Sequence, residues 1–231
     1  MKNINFNVLF LTLFSISISF SQNFVDISDE STRFQNLLEK SNNGNFKSLN
    51  SSDFNGTTLV FKDDRTAILK TMSGDSFKLP NVNYDAYSDR IVTKINKDSI
   101  FIYNDAVINY VDFNNTIAKK YLIDNSGSRY LFTLENGEKV SFLKGYIGKV
   151  IKGKVNPMTK KMMTMNRLKI SNIYFITKNN KTAIEINLKK SNILSILNDK
   201  KNEITKFVKS EKLSYKKEED VIKIIKRYNS L

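Results

Sequence analysis

The chain has no cysteine, no histidine and no tryptophan among its 231 residues. Without cysteine there is neither a disulfide nor a thiolate, so in an oxidising compartment the fold must stand on packing alone. Losing histidine as well removes the usual ligand sets for zinc, copper(II) and haem. It also removes the Ser-His-Asp and Cys-His arrangements of nucleophilic catalysis. No Gly-rich phosphate loop is present either: Gly145-Tyr146-Ile147-Gly148 lacks the Lys-Ser/Thr ending of a P-loop. A membrane-crossing helix takes about 20 apolar residues, and no stretch after residue 21 supplies them. No metal or other cofactor is expected.

What is present begins with a short, weakly basic start carrying Lys2, then an apolar run from Val8 to Phe20. The run is interrupted by Thr12, Ser15, Ser17 and Ser19 and ends in Ser19-Phe20-Ser21, just before Gln22. This order of basic, apolar and small-x-small segments predicts a cleavable signal peptide over residues 1–21, with Ser19 and Ser21 selected by the peptidase and Gln22 as the new N-terminus. With no cysteine at the cleavage point, lipid attachment there is excluded. The expected location is the periplasm or cell envelope, or outside the cell.

Charge is unevenly spread. Residues 22–143 hold 14 Lys/Arg against 16 Asp/Glu, whereas residues 144–231 hold 22 against 7. A field of that sign attracts anions. In the cytosol nucleic acid would come first. With an export signal, the expected partner is instead an envelope protein or an anionic envelope component, and nucleic acid is not expected. The plain alternative is a lysine-rich surface serving solubility.

The apolar periodicity divides the rest. Residues 22–56 are polar with one short helix predicted over 30–41, where Phe34, Leu37 and Leu38 follow Ser28, Asp29 and Ser31. Residues 57–188 read as about 8–10 short strands in an antiparallel meander, barrel-like or folded into a sandwich. The strands expected are 57–62, 66–71, 91–96, 99–103, 106–111, 130–134, 140–142, 173–177 and 183–188. Asn136-Gly137 predicts a type I′ hairpin, since both central positions of that turn need positive φ, and Asn179-Asn180 marks a second. In the last strand Ile184, Ile186 and Leu188 are expected on one face. Residues 189–231 turn helical: Ile193, Leu194 and Leu197 after Ser191 as N-cap, then Ile204, Phe207 and Val208, then Val221, Ile224, Ile225 and Tyr228. The reading is α+β, with a basic helical C-terminal unit packed on the β domain.

Four methionines crowd eight residues, Met158, Met162, Met163 and Met165. Thioethers at such spacing can hold Cu(I), but Lys154, Lys160, Lys161, Arg167 and Lys169 surround them and oppose a cation. A partner-contact surface or ordinary packing remains. Lys200, Lys201, Lys206, Lys209, Lys216 and Lys217 decorate the helical tail, as a solvated face or as a docking surface for an anionic partner. Asp85 and Asp89 could serve as the paired carboxylates of a glycosidase or bind calcium through oxygen; Asp and Asn are also the ordinary residues of turns. Ser214 and Lys217 have a Ser-x-x-Lys spacing that can drive hydrolysis without histidine, within a solvated stretch where such strings arise by chance.

Several segments carry a resemblance: Leu188–Ser191, Leu197–Ile204, Lys216–Val221, Tyr228–Leu231, Tyr130–Gly145 and Asn83-Tyr84-Asp85-Ala86-Tyr87-Ser88-Asp89. In these the chain resembles a family of small exported proteins typical of Bacteroidota-type bacteria. The similarity covers residues 57–231 and implies compartment and architecture, not catalytic residues. The expected function is that of a non-catalytic exported envelope protein, a binding or scaffold module acting through its basic half. The alternative is a carboxylate-dependent hydrolase acting on envelope glycans.

Overall fold

The computed structural model describes residues 24–25, 44–48, 54–63, 65–96, 99–124 and 126–231, the first two segments by backbone pairing alone. The expected signal peptide, with Ser19, Ser21 and Gln22, and the expected helix over 30–41 lie outside the described residues. Among those described, the strands are β1 (Phe24–Val25), β2 (Gly44–Ser48), β3 (Phe54–Asn55), β4 (Arg65–Thr71), β5 (Ser76–Asp85), β6 (Arg90–Lys94) and β7 (Ser99–Tyr103). They continue as β8 (Ile108–Asp112), β9 (Ile117–Ile123), β10 (Gly127–Glu135), β11 (Ser141–Ile151), β12 (Asn166–Thr177) and β13 (Thr182–Ile186). Three helices follow: α1 (Lys190–Ile196), α2 (Lys201–Ser210) and α3 (Glu218–Asn229).

The α+β architecture read from the sequence is therefore present, strands first and helices last. The sheet is mixed: most neighbours are antiparallel, while β1–β5, β3–β12 and β13–β9 pair parallel. Strand order runs β10-β11-β12-β13-β9-β8-β4-β5-β6-β7-β2. β9 also pairs with β10, so the pairing returns on itself there. The closing β13–β9 contact spans only Thr182–Ala183 against Leu122–Ile123, and the sheet runs on through β8, so it is not a closed barrel.

Several strands differ from expectation: β1, β2, β3 and β9 are not among those expected, and three further differences have local reasons. Residues 57–62 form no strand but a single antiparallel bridge, Leu59 with Asp85; beyond it the Asn83 side chain bonds both Phe61 N–H and Phe61 C=O, at 3.0 and 2.8 Å, where the backbone ladder would continue. Asn104 accepts from Ala106 N–H and caps a short 3₁₀ turn over Asp105–Val107, which delays β8 to Ile108. β5, not expected, contains Pro80 and then Asn81 at φ +56°, which mark a bulge rather than a break.

One core lies over β4–β10, where the aromatic rings of Phe61, Phe113, Phe132, Tyr84 and Tyr146 meet largely edge-on or tilted. A second joins the helices to the sheet. Ile193, Leu197, Ile204, Val221, Ile224 and Ile225 have no exposed surface and pack with Val140, Phe142, Ile176 and Ile186. α3 obeys the helix dipole, with Glu218, Glu219 and Asp220 in its first turn and Lys226 and Arg227 in its last. Ser191 lies inside α1 rather than capping it; Lys189 holds the cap position and offers no side-chain bond.

Asn136-Gly137 does not form a two-residue turn, and Gly137 is not at positive φ. The α3 residue Asn229 reaches into the longer β10–β11 loop, accepting from Val140 N–H at 3.0 Å and donating to Val140 C=O at 2.9 Å. A Cβ on residue 137 would sit 1.9 Å from the Asn229 amide nitrogen, so glycine serves close approach there. Ile184 is 63% exposed whereas Ala183 and Ile186 are buried, because β13 changes partner between Ala183 and Ile184 and does not keep one face inward.

Candidate functional site

β11 and β12 share eleven consecutive residue pairs, from Ser141–Thr177 to Ile151–Arg167. The lower part is core: Phe142, Leu143, Phe175 and Ile176 are buried. From Lys149 upward alternate side chains leave the core, and Ile151, Arg167 and Lys169 are exposed. Lys149 stands directly opposite Lys169, a like-charge pair that costs the hairpin about 0.2–1 kcal/mol. No acidic residue of the hairpin relieves it: from 139 to 184 the sequence holds 11 Lys/Arg and no Asp or Glu.

The tip beyond the paired strands, residues 152–165, is internally bonded. Gly153 N–H donates to Asn166 Oδ1 at 2.9 Å, and Lys154 N–H to Thr164 Oγ1 at 2.8 Å. Met163 N–H donates to Lys154 C=O at 2.7 Å, and Val155 bridges Met162. At the apex Asn156 Oδ1 accepts from Met158 and Thr159 N–H, and Asn156 C=O accepts from Lys160 N–H. A Cβ at Gly153 would lie 1.8 Å from Thr164 C=O, so only glycine lets the two arms approach this closely. On this frame Met158 is 92% exposed, and Val155, Met162, Met163 and Met165 are exposed around it. Lys152, Lys154, Lys160 and Lys161 are exposed beside them. Among the described residues, no ion pair engages Lys149, Lys152, Lys154, Lys160, Lys161, Arg167 or Lys169.

The helical tail is arranged differently. Lys201, Lys206, Lys209, Lys216 and Lys217 are exposed, and half-exposed Lys200 lies 3.7 Å from Glu203. The tail's acids largely hold the unit together. Glu218 pairs with Lys144 at 2.8 Å and accepts from the Tyr174 hydroxyl at 2.8 Å. Asp220 accepts from Ser214 N–H, and Asp199 from the Tyr228 hydroxyl. Burial, and then the bond to Asp199, push the Tyr228 phenol up to about 12. Residues 189–231 carry 12 Lys/Arg against 6 Asp/Glu, a weaker and more mixed field than the hairpin's.

Asp85 and Asp89 form a corner between β5 and β6. Asp85 Oδ1 accepts from Tyr87 and Ser88 N–H. Asp89, at φ +56°, accepts from the Tyr84 hydroxyl at 2.5 Å and from Tyr130 N–H at 3.1 Å. Nearby, Asp105 binds Arg90, Lys120 and the Tyr130 hydroxyl. Burial raises the Tyr84 and Tyr130 phenols, with Asp89 adding to both, and burial lowers the Lys120 ammonium. The corner is a packed ionic network in which each carboxylate already serves donors of the fold. Among the described residues no cluster of three or more Asp or Glu could hold a metal ion.

The methionines and their flanking cations are thus brought together on one projecting element, while the tail lysines are spread over the outer surfaces of the helices. Sequence reasoning missed Lys149, Lys152, Ile151 and Val155 as members of this surface. The signal that would have found them is the acid-free run 139–184, masked when charge is summed over whole halves. No family model, no curated protein and no solved structure matches the chain. Among the described residues no helix is long and apolar enough to cross a membrane.

Proposed function

We propose that this chain is a non-catalytic exported protein of the cell envelope, a binding or scaffold module that docks on anionic envelope material through its basic half. The observation that carries the reading is the acid-free run 139–184 with 11 cations, whose exposed members around the hairpin have no ion-pair partner among the described residues. Unpaired cations crowded on one element are a cost to the fold that a polyanionic partner removes. Export rests on the signal-peptide pattern of residues 1–21, and the resemblance to small exported proteins supports the same compartment. The carboxylate-dependent hydrolase has less support, because Asp85 and Asp89 each spend an oxygen on bonds that build their corner.

Recovery of partners from an envelope fraction at two salt concentrations tests the reading. Wild type should bring down anionic material at low salt and lose it as the Debye length shrinks from roughly 30 Å at 0.01 M to 8 Å at 0.15 M. A variant with Lys149, Lys160, Lys161 and Lys169 all changed to Glu should recover little. Equal recovery by both proteins would leave the lysines as solubility devices, and recovery of nucleic acid alone would place the protein with a different class of partner.

A further inference from the structure

The β11–β12 tip joins two properties that a soluble polyanion does not need together. It is ringed by cations that have no ion-pair partner among the described residues, and every apolar side chain of residues 152–165 is exposed. Ile151 and Val155 lie on the first arm, Met158 at the apex, and Met162, Met163 and Met165 on the second arm. A polyanion or a mineral-like surface is recognised by the lysines alone and gains nothing from thioethers. A protein groove offers apolar contact to one side of a hairpin; here the apolar side chains flank both arms and cap the end. Fluid hydrocarbon surrounds a projecting tip from all sides without shape matching. Lysine and arginine stems can lie along that apolar surface while their charged heads stay at the phosphate level. The tip is already ordered by Asn156, Thr164 and Asn166, so binding does not have to organise it.

We infer that this tip is a membrane-surface anchor: Met158 and its apolar neighbours enter the head-group boundary of an anionic lipid bilayer while Lys149, Lys152, Lys154, Lys160, Lys161, Arg167 and Lys169 engage the lipid phosphates. The inference rests on the proposed docking of the basic half on anionic envelope material and names the lipid surface as its target. The insertion is shallow, because Lys160 and Lys161 stand next to the apex and hold it at the depth their side chains can span.

The absence of tryptophan makes the test local. In the full-length chain, Met158→Trp places a sole indole at the apex, and Leu122→Trp, at an exposed position on β9, places one on the sheet. The apex probe reports the depth of the tip itself, and the neutral-vesicle arm together with the Leu122→Trp probe separates it from partitioning of apolar residues 8–20. With vesicles of phosphatidylglycerol in phosphatidylcholine, apex emission should shift to the blue and be quenched by brominated acyl chains, whereas the Leu122→Trp emission should not move. Pure phosphatidylcholine should give no shift. Adding Lys160→Glu, Lys161→Glu and Arg167→Glu should weaken partitioning roughly a hundredfold or more, since each basic side chain near an anionic surface contributes about a fivefold factor. Four results would overturn the inference: an apex probe that stays water-exposed while the protein sediments with anionic vesicles, which leaves the docking function standing; an equal shift on neutral vesicles; a shift that grows with protein concentration without lipid, which makes a second copy the partner; or a shift produced only by a lipid-free extract of envelope proteins. Loss of salt-sensitive binding to both vesicles and envelope fractions removes the docking function as well.

Discussion

Replacing Gly137 by alanine isolates the contact that seats the last helix on the sheet. The new methyl group would lie 1.9 Å from Asn229 Nδ2 and 2.1 Å from its Cγ, so the Asn229 side chain must leave. Its departure breaks the bonds to Val140 N–H and Val140 C=O. A typical hydrogen bond contributes about 0.5–1.5 kcal/mol net, so the substitution should cost about 1–3 kcal/mol. The backbone at residue 137 is not in the left-handed region, so alanine itself fits there. In that situation Gly→Ala normally stabilises by about 0.4–1 kcal/mol through the unfolded chain. The sign should therefore reverse with background: destabilising in wild type, neutral or stabilising when Asn229 is already alanine. Urea denaturation of the four proteins of this double-mutant cycle measures the coupling. Additive effects, with Gly137→Ala equally harmful in both backgrounds, would refute the reasoning and place the strain elsewhere in the loop.

Ile224, fully buried between α3 and the sheet, should cost about 2–5 kcal/mol when cut to alanine, and an unmoved denaturation midpoint would mean that α3 does not dock. Changing Lys200, Lys201, Lys216 and Lys217 together to Glu should leave the fold intact by circular dichroism, since none is buried, and should weaken low-salt binding less than the four-site hairpin variant does. The Tyr228 phenol is raised in the fold to about 12, so its neutral form contributes stability that is fully present below the ordinary value near 10 and lost as pH rises through the folded value. Stability measured from pH 9 to 12 should therefore fall less steeply in Tyr228→Phe than in wild type. N-terminal sequencing of exported protein should begin at Gln22, and retention of Met1 would remove the signal-peptide reading.

The helical tail was legible in the sequence because its stripes are long and amphipathic: Val221, Ile224, Ile225 and Tyr228 all face inward as the spacing requires. β7 was legible as Ser99–Tyr103, a compact β-branched and aromatic run after the polar pair Lys97-Asp98 in the sequence. Much of the rest was hidden by side chains that do backbone work. Asn83 replaces a strand partner for Phe61, Asn104 turns the chain before β8, and Asn229 claims the loop whose Asn-Gly looked like a tight turn. β5 was obscured by Pro80, which reads as a break where the chain has only a bulge. At the candidate site the methionines and several of the cations were visible as a cluster. Their shared projection could not be read, because β11 and β12 extend outward through polar residues such as Lys149, Lys169 and Asn172 that carry weak strand signals.

The long hairpin also has a mechanical consequence. A pull on its tip loads β11 and β12 side by side, so their eleven mutual pairs do not resist it; the resistance must come from outside the hairpin. Nearer the tip, β12 pairs with Phe54–Asn55 of β3 at Asn166–Arg167 and Gly148 N–H donates to Ala86 C=O; at the root, β10 grips β11 through residues 142–144, and β13 grips β12 through residues 174–176. Those short clasps lie at the same level as Lys144 and Tyr174, the two residues that Glu218 of α3 holds from above. The helical unit thus works as a clamp across the root of a lever. Force applied at the apex that passes the contacts with β3 and Ala86 reaches this root, where Glu218 and the packed helix behind it share the load, and Glu218→Gln should lower the force at which the hairpin pulls free before it changes anything at the tip.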